Sequence, residues 1–411
     1  MKFLLLTQYY LPESGSASIK MSELAEYLTN KGHHVSVITG FPNYPHGKIY
    51  DGYKMKLYYK EKINGVNVIR VPLYITDKRY SFKFRMINHT SFMITSIYGS
   101  LIAGKHDLVY YYSPPLFLGL SAWLIGRIYR VPVVGEFNDL WPQAPIQMGI
   151  IKNNMIKKIA FKFERFVYHK TDFLFFYSET HRSAVISEGI KERKTEIHPL
   201  WISTDEFKPV SKELVNNLRR SFGWENKFIV MYAGYIGKAQ GLDILIGVAK
   251  RLRNEKKILF ILVGDGPEKE NLLKKTQELN LENVKFIPFQ TKEKIPIFLS
   301  AADVLFASLK PAPHRLGTIP AKVLAYMSMG KPLLCVAQGE TANLIKKSGS
   351  GIDINEEDEN KLSEAILKIY KDKELAAKMG VNGRKYATEY FDKEKVLSKI
   401  ERRLIEIAKG N

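Results

Sequence analysis

Short apolar runs alternate with helix-length segments along almost the entire chain, and few architectures tolerate that rhythm. A run buried on both faces, followed by a segment long enough to cross over and return, specifies a parallel sheet flanked by helices. In the first half "KFLLLTQYY" precedes a helical segment from about Ser18 to Lys31, and "HHVSVITG", "VNVIRVPL", "DLVYYYSPP", "VPVVGEFND" and "DFLFFYSE" supply further strands. The second half repeats the scheme with "KFIVMYAGYIG", "ILFILVGDG", "NVKFIPF", "ADVLFAS", "PLLCVA" and "GSGIDI". Because 411 residues exceed what one hydrophobic core organises, two α/β domains of the doubly wound, Rossmann-like kind are expected. The first is expected over 1–203, with an amphipathic C-terminal helix at about 392–411 crossing back to it. The second is expected over 204–391, beyond the polar turn of "HPLWISTDEFKP".

The single cysteine, Cys335, lies in the apolar run "PLLCVA" and reads as a buried thiol; without a disulfide framework a cytoplasmic setting is expected. "MKFLLLTQYYLPE" lacks a small-residue cleavage site and reads as a core strand, not a leader. The formal net charge is +20, of which residues 1–200 carry +11 as 26 basic minus 15 acidic residues. Such an excess calls for an anionic partner: a membrane surface, a nucleic acid or a phosphorylated ligand. In 48–85 and in "IKNNMIKKIAFKFERFVYHK" the bases are interleaved with aromatics, which suits an anionic bilayer interface. The almost uncharged 87–104, "INHTSFMITSIYGSLIAG", contains Asn88, His89 and several Ser/Thr, so a buried or interface-dipping helix is expected there and not a membrane span.

Three loops at strand ends of the second half carry the candidate ligand-binding residues. "YAGYIGKAQGLDILI" is a strand, a turn with Gly234 and Gly237, and a helix beginning after Gly241; Lys238 adds a positive charge. "LVGDGPEKENL" is a second strand ending in the Gly264–Asp265–Gly266 turn. "LKPAPHRLGTIPAKVLAYMSMGKPLL" brings His314, Arg315, Thr318 and Lys322 to the start of a helix entered through Pro320 and left through Gly330. A lysine in a first helical turn opposes the helix dipole, so an anion is expected beside Lys322. In the first half "PESGSASIK" sets Gly15 and Ser16 between a strand and a helix, where backbone N–H groups can face an anion. It is not a dinucleotide fingerprint: position 40, after the second strand, is Gly where a ribose-binding acid would stand.

As an ordered set these stretches resemble the retaining, nucleotide-sugar-dependent glycosyltransferases of the GT-B fold, family 4, over nearly the whole chain. "QYYLPESGSAS", "FPNYPHGKIYDGY", "YYSPPLFLG" and "FNDLWPQ" look closest to the L-fucosamine transferases of O-antigen and capsule assembly. The resemblance implies two Rossmann-like domains facing a cleft. It also implies a UDP-sugar donor, a lipid-linked saccharide acceptor in cell-surface polysaccharide synthesis, and retention without a protein nucleophile, the leaving diphosphate taking the acceptor proton. Neither a metal nor another cofactor is expected, since no Asp-x-Asp or His-rich cluster occurs. The family's two glutamates fall here at Gly317 and Ala325, and its basic pair at Tyr235 and Gln240.

Lys238, Arg315 and Lys322 can replace the missing charge, with Lys322 and Lys238 as the clamp on the leaving group. Glu340, at a strand end beside the phosphate loop, is the candidate ribose ligand; a helix-capping Glu340 is the competing reading. Asp139 in "GEFNDLWPQ" either orients and deprotonates an acceptor hydroxyl or caps a turn. Glu136, His46 and Glu179 are further acceptor-side candidates, Glu179 also reading as a helix-start residue. The expected location is cytoplasmic, at the inner face of the membrane. A nucleotide-sugar 2-epimerase on the same scaffold and a basic nucleic-acid-binding protein are the alternatives; nucleic acid is not the expected partner, because the bases flank apolar runs and form no stacking platform.

Overall fold

The computed structural model describes residues 1–78, 81–354 and 357–410, and the side chain of His314 lies outside what is described. The chain divides into two compact units, Met1–His198 with Leu397–Asn411, and Pro199–Val396. Each is a parallel α/β unit with its own core.

Among its described residues unit 1 holds eight strands: β1 (Lys2–Leu6), β2 (His34–Gly40), β3 (Tyr59–Ile63), β4 (Val66–Val71), β5 (Leu108–Ser113), β6 (Val133–Phe137), β7 (Phe173–Phe176) and β8 (Thr195–Ile197). Their order is β3-β4-β2-β1-β5-β6-β7-β8, and only β3 runs antiparallel, paired to β4. Strand order reverses at β1, so the crevice where a ligand of such a sheet belongs opens beyond the carboxyl ends of β1 and β5. The parallel strands are apolar on both faces because helices cover both. The exceptions are β3 and β8, a polar edge hairpin and a three-residue edge strand that the hydrophobic pattern does not announce.

The loop after β1 is held by buried charge. Arg70, fully buried on β4, donates to the carbonyls of Leu11 and of Gly40 at 3.1 Å and pairs with Glu61. Glu13, buried two residues further on, accepts backbone N–H bonds from Tyr10 at 3.2 Å and from Asn43 and Tyr44 at 2.8 Å each. These bonds set the loop of Gly15 against the loop of His46.

The segment at 87–104 falls on one helix, Phe82–Ala103, and its C-cap Gly104, buried along Phe92, Ser96, Gly99 and Ser100. Among the described residues no helix is long and apolar enough to cross a membrane. Its polar residues anchor it: His89 Nδ1 lies 2.7 Å from Gln8 Oε1, Asn88 pairs with Gln8 and donates to the Tyr74 carbonyl at 2.6 Å. Burial lowers the His89 pKa to about 4, so the ring stays neutral.

Unit 2 holds β9 (Phe228–Ala233), β10 (Ile258–Val263), β11 (Val284–Ile287), β12 (Val304–Ser308), β13 (Leu333–Val336) and β14 (Gly351–Ile354), in the order β11-β10-β9-β12-β13-β14. All pairs are parallel, and the order reverses between β9 and β12. Cys335 is free and buried in β13, and burial pushes its thiol up to about 12. The C-terminal helix Lys393–Ala408 enters unit 1 from Leu397 onward, where Glu401 pairs with His33 at 2.9 Å and Arg403 with Glu196 at 3.0 Å.

Helix Phe82–Ala103 approaches the sheet at Gly99, where an added Cβ would meet Ile38 Cγ2 and Val71 Cγ1 at 2.9 Å each. Gly99→Leu should therefore destabilise by about 1–3 kcal/mol through overpacking, whereas Ile94→Ser on the exposed side should stay within about 0.5 kcal/mol. Urea unfolding of the two variants measures both; equal losses would refute the packing described.

Candidate active site

In unit 2 the site begins with a divergence. β9 and β12 are registered only through Val230 and Met231, opposite Val304 and Leu305. Beyond that pair the strands separate, and the backbone of Ala233 loses its partner on that side. Tyr326, from helix Ala321–Ser328, supplies one: its hydroxyl accepts from the Ala233 N–H at 2.8 Å and donates to the Ala233 carbonyl at 2.8 Å. Lys322 stands four residues earlier on the same helix face. Its ammonium lies 4.0 Å from the centroid of the Tyr232 ring, donates to the Tyr232 hydroxyl, and closes on Gly234, where a Cβ would sit 2.9 Å from Nζ.

Burial lowers the Lys322 pKa from 10.5 to about 7, with no carboxylate among the causes. Of its three donors, one is engaged among the described residues. The cation–π contact with Tyr232 offsets part of the desolvation. What remains is a strong preference for an anion at the β9 end.

The neighbouring turns are built to let a ligand come close. Gly234 and Gly264 have φ of 139° and 142°, and a Cβ on Gly264 would lie 2.0 Å from the Gly234 oxygen. The turns after β9 and β10 thus touch backbone to backbone, and only glycine fits. Gly266 packs the same way on Ile236, and a Cβ on Gly237 would strike Tyr235. Lys238 is exposed in the short turn Lys238–Gln240. Arg315, half-buried, donates to the Lys310 carbonyl at 3.1 Å, while the Lys310 N–H donates to Ala239 O at 2.8 Å. The loop after β12 is thereby stitched to the turn after β9.

It is also stitched to the next helix. The Glu340 N–H donates to Leu316 O at 2.7 Å, and Thr341 Oγ1 donates to Thr318 O at 2.7 Å. Glu340 is the first residue of helix Glu340–Ser348, whose N-cap Gly339 offers no side-chain cap. Lys322, Lys238, Gly234, Gly237, Gly264, Gly266, Arg315, Thr318 and Glu340 all lie in these linked loops and helix starts. Tyr232, Tyr326 and Lys310 belong with them and escape the sequence reading; the i, i+4 spacing of Lys322 and Tyr326 is the signal that could have found one.

In unit 1 the candidates separate. Gly15 is the N-cap of helix Ser16–Asn30, with no side-chain cap, and Ser16 is exposed at its first position. The Tyr44 ring lies 3.3 Å from where a Gly15 Cβ would be, and His46 is exposed two residues further, in the turn 44–47. Asp139 follows β6 as a partly buried carboxylate, its pKa raised by that burial. No hydrogen bond or ion pair holds it among the described residues, so it caps no turn.

Two of the acceptor-side candidates are corrected. Glu136 is buried within β6, accepts from the Tyr110 hydroxyl and lies 4.0 Å from Lys20 Nζ, whose own pKa burial lowers to about 8. A carboxylate walled in by tyrosines and its counter-ion is an interior charge pair, not an acceptor contact. Glu179 is a helix-start residue: it opens helix Glu179–Ser187, accepts from Ser183 Oγ at 2.7 Å and pairs with Arg182 at 3.3 Å. Glu13 and Arg70, which fix the Gly15 loop, were not anticipated, because their partners are far along the chain.

Comparison with known proteins places this arrangement. Residues 215–386 match the family model described as Glycosyl transferases group 1, and residues 17–201 match that of the Glycosyl transferase 4-like domain. A protein of Escherichia coli strain K12 named for colanic acid biosynthesis, the glycosyl transferase WcaI, is 28% identical over 404 residues, covering 97% of this chain and 98% of its own length. The WbjE glycosyltransferase of Pseudomonas aeruginosa is 24% identical over 225 residues, covering 52% of this chain and 54% of its own. Among solved structures, Alr3699/HepE of Anabaena in complex with UDP superposes with a TM-score of 0.76 at 18% identity, covering 99% of this chain and all of that one. WaaG, a glycosyltransferase involved in lipopolysaccharide biosynthesis, does so with 0.67 at 17% identity, covering 97% and 99%.

Because the folded Lys322 deprotonates near 7 and the unfolded one near 10.5, the unfolded chain holds the extra proton between those values. The unliganded protein should therefore gain stability from this group as pH rises through that window, with the full penalty present below it. Lys322→Met should remove that part of the slope and raise stability below pH 7. Urea titrations of both proteins across the window test this; parallel pH profiles would contradict the burial described.

Proposed function

We propose, from the premise that this chain is a glycosyltransferase of the GT-B type, that it moves an N-acetylated hexosamine or deoxyhexosamine, such as N-acetylfucosamine, from a UDP-sugar to a lipid-linked saccharide. The setting is the assembly of a cell-surface polysaccharide, O-antigen or capsule, at the cytoplasmic face of the membrane, with retention at the anomeric carbon. The observation that carries the donor side is Lys322: a partly buried ammonium at the end of β9, set on Tyr232 and Gly234 and without a carboxylate partner among the described residues. The name of WcaI and the UDP complexes of the Anabaena protein support the reading.

In this proposal the diphosphate of the donor lies against Lys322, Lys238, Arg315 and the backbone of the Gly234 and Gly264 turns. As the bond from the anomeric carbon to the diphosphate breaks, negative charge grows on the leaving oxygen, and the partly buried ammonium gains most at that moment because its surroundings are less screened than bulk water. The leaving diphosphate takes the proton of the acceptor hydroxyl, which attacks from the same face of the sugar. Glu340 accepts hydrogen bonds from the ribose, Gly15 and Ser16 are assigned to donor binding, and Asp139 orients the acceptor hydroxyl, with His46 a further acceptor-side group.

A thermal-shift comparison of UDP, GDP, dTDP and CDP should show the largest stabilisation with UDP. Lys322→Ala should lower kcat/KM by roughly 100- to 1,000-fold, Lys238→Ala by less, and Glu340→Ala should weaken UDP binding without a matching loss of kcat. Binding of UDP above pH 7 should take up a proton at Lys322, which calorimetry in buffers of different ionisation enthalpy detects. Full turnover in the Lys238→Ala/Lys322→Ala double variant would end the proposal.

A further inference from the structure

Three helices of unit 1, Phe82–Ala103, Leu118–Tyr129 and Asn154–Lys170, cover the same face of the sheet, sharing one core through Phe92, Ile125 and Val167. Their outer side is neither polar nor evenly charged. Ile94 and Leu101 on the first helix are 59% and 57% exposed, and Met155 and Ile159 on the third are 67% and 60% exposed. On the third helix Ala160, Glu164, Val167 and Tyr168 mark the buried side. At 100° per residue, Met155 and Ile159 then fall on the outer side next to Lys158, Lys162 and Arg165. The only acid of that helix, Glu164, is turned inward and accepts from the Tyr168 hydroxyl at 2.9 Å.

The pattern continues at the C-terminal ends of the second and third helices. A cavity of about 700 Å³ there is lined by Trp123, Arg127, Arg130, His169, Lys170 and Asp172, among others. The carboxylate of Asp172 accepts from the Val133 N–H at 2.9 Å, and Lys170 Nζ lies 5.8 Å from the Trp123 ring. Cations at helix C-termini answer the helix dipole; that accounts for His169 and Lys170 on their own helix, but not for a cavity between two such ends or for the isoleucines left exposed on the first and third helices.

We infer that this three-helix face docks on an anionic lipid bilayer. Met155, Ile159 and Leu101 enter the boundary between headgroups and acyl chains, while Lys158, Lys162, Arg165 and the basic cavity meet lipid phosphates. Charge selects the occupant. A second copy packed symmetrically would oppose one basic stripe to another, and a nucleic acid would leave the apolar residues against a charged backbone. The inference deepens the membrane-associated part of the proposed function and rests on it, but it does not depend on which sugar is moved.

Sedimentation of the full chain with vesicles tests it, with no donor present. Retention is expected on phosphatidylcholine containing phosphatidylglycerol, little on phosphatidylcholine alone, and less at high salt. Lys158→Glu/Lys162→Glu/Arg165→Glu should reduce partition by at least about tenfold. Met155→Ser/Ile159→Ser should reduce it without changing the net charge. Lys371→Glu/Lys373→Glu/Lys378→Glu, in unit 2, makes the same charge change and should leave partition as it was. Arg127→Ala/Arg130→Ala should lessen the preference for phosphatidylglycerol, and inorganic phosphate should not compete for it; competition would mean that the cavity takes free phosphate. Equal loss in the unit 2 control, no loss in the charge-reversed helix, or an Ile159-dependent dimer by light scattering that ignores vesicles would overturn the inference. UDP binding by each variant, measured separately, keeps a failure here distinct from a failure of the donor assignment.

Discussion

The separation of β9 from β12 is the constraint on which the rest of unit 2 depends. A parallel sheet must satisfy each backbone group, and a strand that leaves its neighbour exposes an N–H and a C=O to the interior. One hydroxyl answers both: Tyr326 bonds the N–H and the carbonyl of Ala233 at 2.8 Å each. That contact fixes the depth and rotation of helix Ala321–Ser328 relative to the strand. Lys322, one turn earlier, then has nowhere to go but over Tyr232 and Gly234. The position of the ammonium is thus a consequence of how the sheet is allowed to open.

Two lysines in this protein, Lys20 buried and Lys322 partly buried, show opposite solutions to the same desolvation problem. Lys20, in unit 1, lies 4.0 Å from Glu136 and 3.9 Å from the centre of the Tyr177 ring, and the carboxylate opposes part of the downward pull of burial. Lys322 has an aromatic ring and a phenol hydroxyl, and its pKa falls further, to about 7. An ion pair completed within the fold is inert toward ligands, since breaking it leaves a buried charge uncompensated. A cation left incomplete keeps its attraction for an anion that arrives later. The two lysines thus differ in what faces them: Glu136, within β6, stands beside Lys20, whereas no carboxylate contributes to the lowered pKa of Lys322.

How much of this could be read from the residues follows from the range of each interaction. The parallel strands are continuous apolar runs, because both faces are covered, and were legible; β3, reading "YKEKI" on an edge, and β8, three residues long, carry no such run. Lys322 was legible because its conflict with the helix dipole is local. Asp139 reads from sequence as either of two roles, and in the fold its carboxylate makes no hydrogen bond or ion pair among the described residues. Arg70 and Glu13 were invisible: each satisfies backbone groups of other segments, Arg70 at Leu11 and Gly40, Glu13 at Asn43 and Tyr44. Sequence spacing cannot show which loop a buried charge will reach.

The departures from the family pattern have a spatial logic of the same kind. Gly317 occupies the place of one expected glutamate, and it is buried in the loop after β12. The residue before it, Leu316, accepts the N–H of Glu340 at 2.7 Å, and an added Cβ on Gly339 would strike the Leu316 oxygen at 2.1 Å. The residue after it, Thr318, accepts from Thr341 at 2.7 Å. The two segments therefore run against each other through consecutive residues, and the position that lost a carboxylate adjoins the position that carries one. A glutamate at 317 would bring a second negative charge into the neighbourhood of Glu340, and the two carboxylates would repel. With glycine at 317, Glu340 stands as the acid at the start of helix Glu340–Ser348.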